Sequence, residues 1–146
     1  MVQLNLPQFK CNIRKNDRKY EIFDGIRKKY VVLTPEEWVR QHFINYLTGH
    51  LRYPRSLMAV ESGTRYHGLQ KRTDILVYDN SMAPLLLTEC KSYKVKIDQS
   101  SMDQVAMYNR GLKARYVVIT NGLQHFCCEF DGSSWTFLKE IPAFEP

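Results

Sequence analysis

The chain has 146 residues and a formal net charge of +6. Its 44% hydrophobic and 25% charged content is that of one globular domain with a real core, and this length leaves no room for a motor or a second catalytic domain. The basic balance favours an anionic partner, nucleic acid first. No run approaches the roughly 20 apolar residues of a membrane span, and MVQLNLPQFKCNIRKNDRK reaches charged residues before a signal-peptide core could form. Cys11, Cys90, Cys127 and Cys128 lack any CxxC-type spacing, which predicts reduced thiols in a cytoplasmic protein with no membrane partner.

In chain order, FKCNIRKNDRKYEIF reads as a β-hairpin over about residues 7–24, turning at Asn16-Asp17. It carries Lys10, Arg14, Lys15, Arg18 and Lys19, and Arg27, Lys28 and Lys29 follow. Two readings stay open. These charges either keep a solvated edge ribbon from aggregating or contact phosphates. The next segment, TPEEWVRQHFINYL, predicts a helix with Thr34 as N-cap, Pro35 at the first position and Glu37 completing a capping box. Val39, Phe43, Tyr46 and Leu47 form its apolar stripe, and at about 100° per residue Glu36 falls inside that stripe. Glu37 thus has a structural task, while Glu36 faces inward without one.

After a less regular stretch, TDILVYD and APLLLTECK predict two core strands joined by the polar turn 79–83. DQSSMDQVAMYNRGL predicts a second helix, with Asp98 as N-cap, Gly111 as stop, and Val105, Tyr108 and Leu112 on one face. The remainder predicts a three-stranded meander with two-residue turns at Asn121-Gly122 and Asp131-Gly132. The fold class is α/β, a mixed sheet flanked by helices, in a single domain spanning residues 1–146 with its core at about 30–138.

The chemistry gathers at the end of LLLTECK. Glu89 and Lys91 are two apart on a strand and share a face. If the preceding hairpin turns on Ser81-Met82, Asp74 lies opposite Glu89, where like charges repel at roughly 4.5–5.5 Å between Cβ atoms. A cation between them resolves the repulsion. Two hard oxygen ligands suit Mg²⁺, with Mn²⁺ as a substitute. Lys91 could orient or help deprotonate a water on the metal and stabilise charge on a phosphate oxygen. Gln104 and Tyr108, four apart, share a face of the second helix.

Asp74, Glu89-Cys90-Lys91 and Gln104-x-x-x-Tyr108 resemble the PD-(D/E)XK nuclease superfamily in its Gln-x-x-x-Tyr branch. TPEEWVRQHFINYL, GLQKRTDILVY, LLLTECKSY, DQVAMYN and YVVITNGLQHF resemble, more narrowly, the N-terminal nuclease domain of type I restriction enzyme R subunits. The resemblance covers roughly residues 30–130. It implies a restriction-endonuclease-like core and Mg²⁺-dependent cleavage of DNA. By the same resemblance Asp74 and Glu89 bind the metal, Lys91 is the catalytic lysine, and Gln104 and Tyr108 position the lysine or the DNA backbone. The family also carries a glutamate four residues before an arginine on its first helix, a spacing that Glu36 and Arg40 fit better than Glu37 does. Thr73 stands where the family name has proline. No GxxxxGK[ST] is present, so Gly63-x-x-x-x-Gly68 is no ATP site, and ATP-driven restriction would need a separate motor or specificity subunit. A double-strand cut would need a homodimer. The competing function is a nucleic-acid-binding or assembly subunit that keeps the fold without turnover.

Two features point elsewhere and are read as structure. His125 and Cys127 share a strand face but have no second ligand pair, and Cys127-Cys128 read as packing groups. Trp38 and Trp135 read as core residues. Lys71-Arg72, just before Asp74, are divided between a DNA contact and ordinary solvated charge.

Overall fold

The computed structural model describes the backbone of residues 1–66 and 69–146, and side chains outside residues 62–72. Strands β1 (Ile13–Asn16), β2 (Lys19–Asp24) and β3 (Lys29–Val32) form an antiparallel ribbon. Asn16 pairs with Lys19, so the first turn falls on Asp17-Arg18, one residue later than expected. Asp17 takes the left-handed conformation (φ 56) that such turns need and that Asp tolerates. The hairpin is therefore part of a three-stranded sheet, with Tyr30, Val31 and Val32 paired to β2.

Helix α1 (Pro35–Gly49) follows, with the Thr34 hydroxyl accepting the Glu37 N–H at 3.0 Å. Val39, Phe43 and Leu47 are fully buried. The main sheet holds β4 (Met58–Tyr66), β5 (Leu69–Tyr78), β6 (Pro84–Cys90), β7 (Tyr116–Thr120), β8 (His125–Phe130) and β9 (Trp135–Leu138) in chain order. Its neighbours are antiparallel except β6 and β7. That parallel pair requires a crossover, which α2 (Gln99–Leu112) supplies. Strand β4 lies in the stretch that looked irregular, because Glu61-Ser62-Gly63 interrupts its apolar alternation.

Alternate residues of the central strands feed two cores. Ile75, Val77, Leu86, Cys90 and Val118 pack with Val39, Phe43 and Leu47 of α1. Leu76, Leu87, Val117 and Ile119 pack with Val105 and Tyr108 of α2. The sheet is thus sandwiched between the two helices. Asp98 caps α2 by accepting the Ser101 N–H at 2.9 Å, but the helix runs past Gly111 and ends at Lys113 in the left-handed conformation (φ 57).

Both meander turns are wider than expected. Thr120 pairs with His125 and Phe130 with Trp135, which leaves four-residue loops. The Asn121 and Asp131 side chains each accept two loop N–H groups, so side-chain hydrogen bonds within the loop replaced the tight hairpin. Trp135 is an exposed residue stacked on Phe130, not a core residue, and Trp38 is partly buried.

Candidate active site

The turn between β5 and β6 is not the two-residue turn expected. Asp79 N–H donates to the Ala83 carbonyl at 2.8 Å, Met82 takes a positive φ of 64, and Tyr78 pairs with Pro84. A bulge between Val77 and Tyr78 then shifts the ladder by one, so that Val77 faces Leu86, Leu76 faces Leu87 and Ile75 faces Thr88. Two departures cancel, and the next step of this register sets Asp74 opposite Glu89 as expected. Here the strands part. Cys90 N–H donates to Asp74 Oδ2 at 2.7 Å, and Lys91 N–H donates to the Thr120 carbonyl at 2.8 Å.

The carboxylates of this corner are crowded. Burial pushes the Glu89 carboxyl up to about 7, helped by the Asp74 charge and by a hydrogen bond to Asp74 that only the protonated form can donate. The Lys91 ammonium, 3.5 Å from Glu89 Oε1, opposes the shift without cancelling it. Both side chains are about 30% exposed (Lys91 30%, Glu89 29%), so solvent reaches the corner.

Arg40 of α1 enters the same corner. Its Nη2 donates to Asp74 Oδ1 at 2.8 Å and lies 3.2 Å from Glu61 Oε1 and 3.6 Å from Glu36 Oε1. Its Nη1 donates to Glu37 Oε1 at 2.5 Å. The four carboxylates around it hold its guanidinium firmly charged despite burial.

The two helix glutamates exchange the environments expected for them. Glu37 is buried, and its carboxylate binds Arg27, Arg40 and Gln41. Only half of the capping box forms, because these guanidinium partners outcompete the cap N–H for the carboxylate. Glu36 has its side chain 48% exposed at the rim. Burial of the remainder and the nearby Asp74 charge raise its pKa.

Sequence reasoning missed Glu61 and Arg27. Val60 pairs with Ile75 and Ser62 with Thr73, so Glu61 sits opposite Asp74. A run of acids across β4, β5 and β6 results: Glu61, Asp74, Glu89. Glu61 adopts φ 51, a conformation costing a glutamate roughly 1 kcal/mol or more. Its signal was hidden with the strand that carries it.

Arg27 is mostly buried rather than a solvated ribbon charge. It donates to Asp24 Oδ2 at 2.6 Å, to both Glu37 oxygens at 3.0 Å and to Glu61 Oε2 at 3.2 Å. Gln41 Nε2 also joins Asp24 to Glu37, at 2.9 Å each. A continuous chain Asp24–Arg27–Glu37–Arg40–Asp74 thus connects the ribbon to the site.

Tyr108 packs in the α2 core with Leu87, on the sheet face that carries Glu89 and Lys91. Gln104, one turn earlier, is exposed. The structure brings Asp74, Glu89, Lys91 and Glu36 together and leaves Gln104 outside their contacts. Lys71 and Arg72 lie outside the described side chains.

Cys127 and Cys128 are buried free thiols, and burial pushes Cys127 up to about 12. His125 bonds the Thr120 hydroxyl at 2.6 Å and the Asn5 carbonyl at 2.9 Å. Among the described residues no group of three His, Cys, Asp or Glu side chains is arranged to hold a metal, and no helix is long and apolar enough to cross a membrane.

The family model for the type I restriction enzyme R protein N terminus matches residues 35–142 of this chain. The fold is similar to a solved structure described as a fragment of an HsdR subunit of a type I restriction enzyme from Vibrio vulnificus YJ016. The TM-score is 0.56 at 18% identity, over 76% of this chain. This chain spans 24% of that one. No curated relative matches the sequence.

Proposed function

We propose that this chain, which belongs to the family of the type I restriction enzyme R protein N terminus, is a metal-dependent endonuclease that hydrolyses DNA phosphodiester bonds within a restriction-type system. The observation that carries this reading is the convergence of Asp74, Glu89 and Lys91 at the parting of β5 and β6, with Glu89 raised to about 7 by burial and by Asp74. A pair of repelling carboxylates costs stability and gains nothing for the fold unless a cation is meant to sit there.

The donor set fits Mg²⁺, or Mn²⁺ in its place. Asp74 and Glu89 offer hard oxygens, Arg40 takes one lone pair of Asp74 Oδ1 and the Cys90 N–H one of Oδ2, and the proton that joins Glu89 to Asp74 stands where a cation would bridge them. Two protein ligands leave the remaining positions to water and phosphate, as Mg²⁺ prefers. When bound, the ion supplies Lewis-acid charge against a phosphate oxygen.

The protein's own groups do the rest. Arg40 and the Cys90 N–H fix the Asp74 carboxylate from opposite sides. Lys91 orients the attacking water and opposes charge developing on the phosphate. Glu36 at the rim exchanges protons with solvent, and its raised pKa suits that role. Gln104 is available to a DNA backbone at the surface, while Tyr108 anchors the helix that presents it. Translocation and site recognition lie outside these residues, and a double-strand cut would take a pair of nuclease domains.

The test is cleavage of plasmid and single-stranded DNA with Mg²⁺ or Mn²⁺ against chelator, using wild type and Glu89→Ala purified in parallel. Metal-dependent cutting by wild type alone is the expected result. Cutting by both would mean a contaminant or a different site. Cutting by neither would favour a binding or assembly subunit.

A further inference from the structure

The chain's charge is very unevenly distributed. Residues 1–34 hold eight Lys and Arg against three Asp and Glu, a net +5 of the total +6. This segment precedes the family-matched residues 35–142. Arg14 is taken up by Glu21 at 2.8 Å and by the Tyr30 ring at 3.9 Å. Lys15, Arg18, Lys19, Lys28 and Lys29 are exposed and have no ion pair among the described residues. Blocking edge-to-edge aggregation accounts for Lys15 on β1 and Lys29 on β3, the two edge strands, but not for the other three. Arg18 and Lys28 lie in turns and Lys19 on the central strand, where no open ladder needs protection.

The ribbon is also keyed to the site. Asp24, fully buried, accepts the Ile26 and Arg27 N–H groups at 2.8 Å each and fixes the β2–β3 turn. Lys28 N–H donates to the Asp24 carbonyl at 2.7 Å, and Lys28 takes φ 58. The turn therefore sends Arg27 inward while Lys28 and Lys29 stay outside. Inside, Arg27 shares Glu37 and Glu61 with Arg40, which holds Asp74. A loosely solvated arm would have no reason to be locked by three carboxylate contacts, two of them buried. A surface that must hold a polyanion in register with a reactive corner does.

We propose that the ribbon β1–β3 is a DNA-backbone clamp, presenting Arg18, Lys19, Lys28 and Lys29 to phosphates and keyed to Asp74 through Arg27, Glu37 and Arg40. This rests on the nuclease reading for the identity of the polyanion. Neutralising n phosphate contacts lowers the slope of log K against log salt by about 0.9n.

The test is fluorescence anisotropy with a labelled DNA duplex in chelator, so that nothing turns over. It compares wild type with the Arg18, Lys19, Lys28, Lys29→Gln variant. A control variant neutralises Arg52, Arg110, Lys113 and Lys139, which are equally exposed and lie elsewhere. The ribbon variant is expected to bind at least about tenfold more weakly at 0.1 M salt, with the slope reduced by about 2–4 and the melting temperature unchanged. The control should stay near wild type. Equal losses in both variants, an unchanged slope in the ribbon variant, or no duplex binding by wild type would each overturn the clamp. Cleavage with an unchanged slope sinks the clamp alone. Salt-dependent binding through the ribbon without any cleavage sinks the nuclease reading alone.

Discussion

On one side of Arg40 the buried charges are matched, and on the other they are crowded. Toward the ribbon, Asp24 and Glu37 face Arg27, Arg40 and the Gln41 amide, and the hydrogen bonds from Arg27 and Gln41 draw the Asp24 pKa down against the effect of burial. Toward the sheet end, Glu36 and Glu89 sit near Asp74, and both are pushed up by burial and by that like charge. Both regions are acidic, the first buried and the second open to solvent at its rim. What separates them is whether each carboxylate has a guanidinium of its own. The first arrangement fixes structure, whereas the second leaves negative charge awaiting a cation.

The sharpest way to break this contrast is at Lys91. Lys91→Ala should reduce metal-dependent cleavage by about a thousandfold or more while leaving Mn²⁺ binding, measured by calorimetry, within a few-fold of wild type. Loss of metal binding along with turnover would make Lys91 a structural counterion of Glu89 instead.

On the matched side the effect should appear as stability. Arg27→Met strands Asp24 and Glu37 without their shared partner. Breaking a buried pair from one side costs about 3–5 kcal/mol, and urea unfolding should show a loss in that range, with Arg27→Lys recovering part of it. An unfolding midpoint close to wild type would mean the network contributes little.

Glu89 gives a smaller effect with a definite sign. Its folded pKa of about 7 lies above the ordinary 4.5, so the folded chain keeps a proton that the unfolded chain has lost. Stability therefore falls as pH rises from about 4.5 through about 7 and levels off above, by about 3 kcal/mol in all. In chelator, Glu89→Gln should match wild type near pH 4.5 and exceed it by that amount at pH 8. Parallel stability curves would show that the corner is not strained by its own charge.

The smallest effect belongs to a pair that is matched but exposed. Arg14 and Glu21 meet at 2.8 Å with the Arg14 side chain 51% exposed. Arg14→Ala should cost about 0.5 kcal/mol or less, measured in the same unfolding series. A loss as large as that of Arg27→Met would mean that pairing, not burial, sets the scale.

The contrast also explains what could be read from the residues. Asp74, Glu89 and Lys91 were legible because strand alternation and a constant pair sum are local rules, and the bulge at Val77/Tyr78 happened to restore the register that a wider turn had shifted. The assignments of Glu36 and Glu37 went the other way. Helical angle alone placed Glu36 inward, but the Arg27 side chain, arriving from the ribbon ten residues earlier, supplies a partner for Glu37, and Glu37 is the one that is buried. Glu61 and the inward turn of Arg27 left no local signature, since both are defined by partners distant in the chain.

The sequence by itself determined the order of the elements apart from β3 and β4, both helix N-caps, the apolar faces of β5 to β7, and the nearness of Asp74 to Glu89 and Lys91. These follow from periodicity and capping, whose range is a few residues. Only the tertiary structure decided which carboxylates are neutralised and which are left to repel one another. That distinction depends on where two guanidinium groups end up, and buried charge is satisfied across the fold rather than along the chain.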